Sequence, residues 1–190
     1  MTNLKEDIDR AVAVMKQGGI ILYPTDTVWG IGCDATRSDA VRRIYELKQR
    51  VDHKALIVML GNIDSLYRYV DEIPDAAAQL LEAAIDPLTI IYDRGRNLAP
   101  ELLGPDGSVG IRVTAEKVSR TLCNTLRRPL VSTSANISGR PTPLNFSDIA
   151  PDIIHGVDYI IEARRDEHGE AKPSSIIKVS SDNTIKIIRK

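Results

Sequence analysis

Three polar segments break into otherwise apolar runs, and each carries residue types suited to holding an anionic or strongly polar small molecule. In Tyr23-Pro24-Thr25-Asp26-Thr27-Val28-Trp29-Gly30-Ile31-Gly32 an apolar strand runs into a turn with two threonine hydroxyls, one carboxylate and two glycines. Hydroxyls and backbone N–H groups hold polar ligands, and glycine lets a ligand approach the main chain. A plain Pro/Thr/Asp turn leading into a second strand fits these residues equally well. In Lys48-Gln49-Arg50-Val51-Asp52-His53-Lys54, Lys48 and Arg50 stand two apart. They cannot share a helical face, but they project to one side of an extended exit. With Lys54 they would form an anion site, Arg offering a planar fork and Lys a point charge. Taken alone, a solvated last helical turn, where cations complement the macrodipole, is the simpler account. In Val131-Ser132-Thr133-Ser134-Ala135-Asn136-Ile137-Ser138-Gly139-Arg140-Pro141, four hydroxyls and one amide gather at a strand end. Neutral donors there suit phosphate or carboxylate binding in an open α/β sheet. A capped loop with local side-chain-to-backbone bonds is the alternative.

Other chemistries lack their residues. There is no G-x-x-x-x-G-K-[ST] phosphate loop and no G-x-S-x-G elbow, and Gly30-Ile31-Gly32 lacks the third glycine of a dinucleotide fingerprint. His53, His155 and His168 stand far apart in polar contexts and read as solvated residues. Cys33 and Cys123 make neither a zinc set nor a disulfide framework and read as small packing residues in a reducing compartment.

The elements that must position these segments follow from periodicity. Leu4, Ile8, Ala11, Val12 and Met15 recur at helical spacing, and Gly18-Gly19 stops that helix. Ile20 to Tyr23 reads as a buried strand ended by Pro24, and Ser38 as the N-cap of a helix carrying Val41, Ile44, Tyr45 and Lys48. Leu56 to Leu60, Leu88 to Tyr92, Val109 to Val113 and Leu130 to Thr133 read as strands, with helices between Pro74 and Ala84 and over Glu116 to Leu126. Tyr159 to Ile161, Ser175 to Val179 and Thr184 to Ile188 complete the strands. Alternation followed by clustered strands predicts an α/β fold with a mixed sheet.

The chain has 190 residues, 43% hydrophobic and 27% charged, which excludes a disordered polymer and predicts one domain over 1–190. Lys plus Arg is 25 against 26 Asp plus Glu, a net charge of -1, so any nucleic acid would meet a local patch. Aromatics at 4% leave few surfaces for stacking bases. The charged N-terminus lacks the apolar core of a secretory signal, and no apolar stretch nears the ~20 residues that span a bilayer. A cytoplasmic protein with no membrane partner is expected.

Together these segments resemble the YrdC-type family, the threonylcarbamoyl-AMP synthases of tRNA modification, in their short single-domain form. Pro24 to Gly32 matches the family's P-T-[DE]-T-V-Y-G-L-G with Trp29 for Tyr, and Lys48-Gln49-Arg50 matches its K-x-R. Ser108-Val109-Gly110-Ile111-Arg112 matches its S/T-V-x-x-R strand, and Ser132 to Gly139 matches S-x-S-A-N-x-S-G. The resemblance covers nearly the whole chain. Departures are Asp86-Pro87-Leu88-Thr89 where P-G-P-x-T is frequent, Met59 where some members carry a polar residue, and Lys54 where some carry Asn. Lys172-Pro173-Ser174-Ser175 is similar to the YciO branch, which usually loses the Asn that this chain keeps as Asn136.

The resemblance implies a twisted open mixed sheet with helices packed on it and a concave basic cleft. It implies condensation of L-threonine, bicarbonate (or CO2) and ATP into threonylcarbamoyl-adenylate and pyrophosphate, after which partner proteins pass the threonylcarbamoyl group to adenosine 37 of tRNAs reading codons that start with A. By motif position Lys48, Arg50, Ser134 and Asn136 form the phosphate-facing catalytic set. Lys54, Ser108 and Arg189 add ATP contacts, and Thr27, Arg112 and Ser174 hold threonine. Mg2+ would ride on the phosphates rather than in a protein cage. The alternative is a YciO-like RNA binder without synthase activity, tracking phosphates with Arg37, Arg42, Arg43, Lys48, Arg50 and Lys54.

Overall fold

A computed structural model of the chain describes residues 3–49, 56–167 and 173–190. Among these residues nine strands form one mixed sheet. In chain order they are β1 (Ile21–Tyr23), β2 (Gly30–Gly32), β3 (Ile57–Leu60), β4 (Leu88–Tyr92), β5 (Val109–Val113), β6 (Leu130–Ser134), β7 (Tyr159–Ile160), β8 (Ser175–Val179) and β9 (Ile185–Arg189). Their order across the sheet is β7-β1-β2-β6-β3-β5-β4-β8-β9. The pairs β1–β7, β3–β5 and β4–β8 are parallel, and the remaining neighbours are antiparallel.

Strand alternation splits the apolar residues into two layers. Leu22, Ile31, Val58, Ile90, Ile111 and Val131 face one core, covered by α2 (Ser38–Leu47), α3 (Asp75–Ala83) and α5 (Pro151–Gly156). Ile21, Tyr23, Met59 and Leu130 face the other, under α1 (Leu4–Lys16) and α4 (Lys117–Leu126). α1 turns Ile8, Ala11, Val12 and Met15 inward, each large side chain contributing roughly 1.5–3 kcal/mol by burial. It ends where Gly18 adopts φ +88°, as the Gly-Gly pair predicts. α4 starts from Glu116, whose carboxylate accepts the N–H groups of Val118 and Ser119 at 2.9 and 2.7 Å.

One expectation needs correction, and one helix went unread. Ser38 is the first residue of α2, not its cap: Arg37 holds the cap position without a side-chain cap bond, and its guanidinium goes instead to Asp39. The helix α5 escapes periodicity because six residues are too few to show it.

α1 and α4 leave part of the second face uncovered. Gly30, Ile57, Arg112, Ser132, Ser134 and Ile176 on that face line the space left between them. A Cβ on Gly32 would lie 2.7 Å from both the Tyr23 ring and the Val131 carbonyl, so glycine is what lets Tyr23 cross β2 and donate to Val131 O at 3.3 Å. That crossing fixes how β1 and β2 enter the site, and burial pushes the Tyr23 phenol's pKa upward.

Candidate functional site

The open part of the sheet face forms the floor of a cavity of about 420 Å³. Thr27, Arg112, Ser134, Ser174 and Arg189, all named from the sequence, share its wall.

The turn after β1 is self-braced. Thr27 N–H donates to Thr25 Oγ1 at 3.0 Å, and that hydroxyl donates to Val28 O at 2.7 Å. Arg164 clamps the turn from outside, donating to Thr25 O at 3.1 Å while pairing with Glu116 at 3.1 Å.

Arg112 stands in β5 beside Met59 of β3 and Thr89 of β4, with its side chain only 3% exposed. Nη2 lies 3.2 Å from Asp26 Oδ1, Nη1 reaches Thr27 Oγ1 at 3.5 Å, and Nε has no hydrogen-bond partner. A guanidinium on the cavity wall offers the planar fork that a carboxylate suits. On the far wall Arg189 donates Nε and Nη2 to Ser174 O at 3.0 and 2.8 Å, and the Ser174 hydroxyl meets that of Thr89 at 3.1 Å.

Lys48 and Asn136 brace the wall rather than line it. The Lys48 ammonium, buried at the end of α2, donates to the carbonyls of Ser134 and Asn136, and the Lys48 carbonyl accepts Ser138 N–H at 2.9 Å. Asn136 Nδ2 donates to Ile137 O at 3.0 Å and Arg140 O at 2.7 Å, which leaves its buried Oδ1 without a partner. Ser108 lies off the cavity wall, in the turn before β5. Its bonds, joined by the ammonium of Lys178, pull the Asp106 carboxyl down to about 2. Arg50 and Lys54 lie outside the described residues.

Thr142 and Leu144 also line the cavity, and the sequence reading missed both. The signal present was Pro141-x-Pro143, which forces an extended path directly after the hydroxyl-rich loop. This segment is anchored by Phe146, whose ring centroid lies 4.9 Å from that of Trp29, with the Arg165 guanidinium 5.1 Å above Phe146. Asp26, recognised in the sequence only as a turn carboxylate, proves to be the ion-pair partner of Arg112.

Three of the arginines that would track RNA form ion pairs at the surface. Arg37 pairs with Asp39 at 2.6 Å, Arg42 with Glu101 at 2.9 Å, and Arg43 with Asp158 at 2.8 Å. No helix among the described residues is long and apolar enough to cross a membrane.

Residues 13–190 match the Sua5/YciO/YrdC family model, described as Telomere recombination. A threonylcarbamoyl-AMP synthase of Pseudoalteromonas translucida is 34% identical over 172 residues, covering 89% of this chain and 91% of the relative. One from Xanthomonas campestris is 33% identical over 173 residues, covering 90% and 91%. Among solved structures, Sua5 of P. abyssi complexed with L-threonine superposes with a TM-score of 0.81 at 27% identity, over 94% of this chain. The chain spans about half of that protein, 52% of its length. E. coli YciO superposes with a TM-score of 0.85 at 25% identity, over 100% of this chain and 91% of that one. With the family pattern running through residues 13–190 and curated relatives a third identical over nine-tenths of both chains, this chain belongs to the Sua5/YciO/YrdC family.

Proposed function

We propose that the chain is a threonylcarbamoyl-AMP synthase acting through one domain over residues 1–190. It condenses L-threonine, bicarbonate (or CO2) and ATP into threonylcarbamoyl-adenylate and pyrophosphate, for tRNA modification completed by partner proteins in the cytoplasm. The observation that carries this reading is the shared cavity of Thr27, Arg112, Ser134, Ser174 and Arg189, drawn from distant stretches of the chain. The names of the curated relatives and the L-threonine complex of P. abyssi Sua5 point the same way.

In this reading Arg112 grips the threonine carboxylate from the cavity wall, with Thr27 and Ser174 on either side. The threonine amine, once deprotonated, adds to the carbon of CO2, or to bicarbonate with loss of water, and an oxygen of the N-carboxylate so formed attacks the α-phosphorus of ATP. The new O–P bond forms as the bond from that phosphorus to the bridging oxygen breaks, and pyrophosphate leaves with the electron pair. Bringing a carbamate against a triphosphate is electrostatically uphill, so fixed donors must meet the developing charge. Arg189, Ser134 and the cations Arg50 and Lys54 supply them, while Lys48 and Asn136 hold the Ser134 loop in place. Ser108 meets the nucleotide where the adenosine extends along β5 past Gly110.

Magnesium fits as a phosphate-borne ion. The cavity wall offers hydroxyls and guanidiniums but no carboxylate among the described residues, so its donors suit the phosphate oxygens rather than a hard cation. Bound through ATP, Mg2+ would neutralise phosphate charge.

Purified protein with Mg2+ and all three substrates should release pyrophosphate and yield threonylcarbamoyl-adenylate by mass spectrometry. Omission of threonine or bicarbonate should abolish both. Turnover no higher than that of an Arg112→Ala control overturns the assignment.

A further inference from the structure

We propose that Arg164 is a positioning residue for the threonine subsite: from outside the cavity it fixes the turn that presents Thr27 against Arg112. The proposal rests on the synthase reading, in which Thr27 and Arg112 hold the substrate amino acid.

Arg164 does not line the cavity. Its Nη1 donates to Thr25 O at 3.1 Å and lies 3.1 Å from Glu116 Oε1, while Nε donates to Glu167 Oε2 at 2.6 Å. Nη1 carries two N–H groups, enough for both of its acceptors. Glu116 is a firm anchor. Its carboxylate accepts the Val118 and Ser119 N–H groups that start α4, and its own N–H donates at 3.2 Å to Thr114 Oγ1, directly after β5. The turn at the other end needs such an anchor. Thr25 Oγ1 is used within the turn, on Val28 O and the Thr27 N–H, which shapes the turn without placing it against β5. The ties to β5 on the cavity side run from Arg112 to Asp26 and Thr27, and Arg112 is the group that must also receive the substrate. Arg164 ties the same turn to the β5–α4 corner without using that receptor.

The backbone at Arg164 gives an independent sign. Its φ is +65°, in the left-handed region that glycine adopts freely and other side chains seldom do. The contacts of the side chain with Thr25, Glu116 and Glu167 are what offset that strain. A residue held in a sparsely populated conformation points to a use for its side chain. The planar fork of a guanidinium fixes the angle between its acceptors, which a point charge would not. Small displacements matter at such a site, since a shift of about 1 Å costs on the order of 10²-fold in rate.

The test uses Arg164→Gly and Arg164→Asn, the residue types most at ease in that backbone region, so each removes the guanidinium without adding strain. Pyrophosphate release gives the KM for threonine and the KM for ATP, and thermal midpoints report folding. In a variant that folds, the KM for threonine should rise about tenfold while the KM for ATP stays within about twofold of wild type. A general loosening of the fold raises both constants together, and that result overturns the proposal. An unchanged KM for threonine overturns it too. Loss of folding in both variants makes Arg164 a structural residue and has the same consequence. Active wild type whose variants show any of these results sinks this proposal alone; wild type that releases no pyrophosphate sinks the synthase reading and this proposal with it.

Discussion

The Lys48 ammonium donates to the Asn136 carbonyl at 2.7 Å and to the Ser134 carbonyl as well, joining the end of α2 to the end of β6. Both acceptors are main-chain atoms, so the lysine sets the path of the Ser134–Ser138 loop. Lys48→Met should strip a donor from two carbonyls, at about 1–3 kcal/mol for each one left buried and unpaired. Pyrophosphate release should fall on the order of 10²-fold as the loop loses its position. Thermal unfolding and steady-state turnover, measured on one preparation, check both effects.

Arg112→Lys keeps the charge but loses the planar fork. One ammonium cannot face Asp26 and a substrate carboxylate in the same fixed geometry. The KM for threonine should rise roughly tenfold to a hundredfold, while the KM for ATP stays near wild type. Equal changes in both constants would place Arg112 elsewhere in the reaction.

Asp158 accepts two bonds from Arg43, at 2.8 and 3.0 Å, and the Ile20 N–H at 2.7 Å. Arg43 first, and the Ile20 N–H with it, hold the Asp158 carboxyl below its ordinary value. A native pKa below the unfolded one stabilises at neutral pH, and the contribution fades as pH falls below about 4 and through the native value. Denaturant midpoints from pH 7 to pH 3 should therefore drop less steeply for Asp158→Asn than for wild type. The carboxylate is partly exposed, so salt should shrink the difference.

Trp29 is the one tryptophan, and it packs on Phe146 at the base of the segment bearing Thr142 and Leu144. Occupation of the cavity by ATP should change its emission, and Phe146→Ala should shift the resting emission to the red. A titration with no change would detach this segment from nucleotide binding.

Long apolar patterns were legible in the sequence. The stripe Ile8, Ala11, Val12, Met15 and the runs that became β4 and β5 fell where periodicity put them, because burial on one face dictates spacing. β2 is three residues with two glycines and carries no alternation to read. Ser134 was legible because it ends an apolar strand in a run of hydroxyls, whereas Arg112 and Ser174 were reached through the family motifs they match. Lys48 was legible as a cation, but its acceptors lie 86 and 88 positions away, and no local pattern distinguishes a phosphate from a carbonyl. Thr142 and Leu144 reach the cavity by the route of the chain, and route is a tertiary property.

The hydroxyl contact between Thr89 and Ser174 joins positions 85 apart, across strands that run parallel. Parallel pairing of distant segments carries a large loop-closure cost and is slow to form. During refolding, helical signal should return early, while competence to bind a ligand waits for β8 and β9 to dock beside β4. A denatured sample diluted into buffer would thus regain its circular dichroism before its chemistry, and the interval would time the last step of assembly.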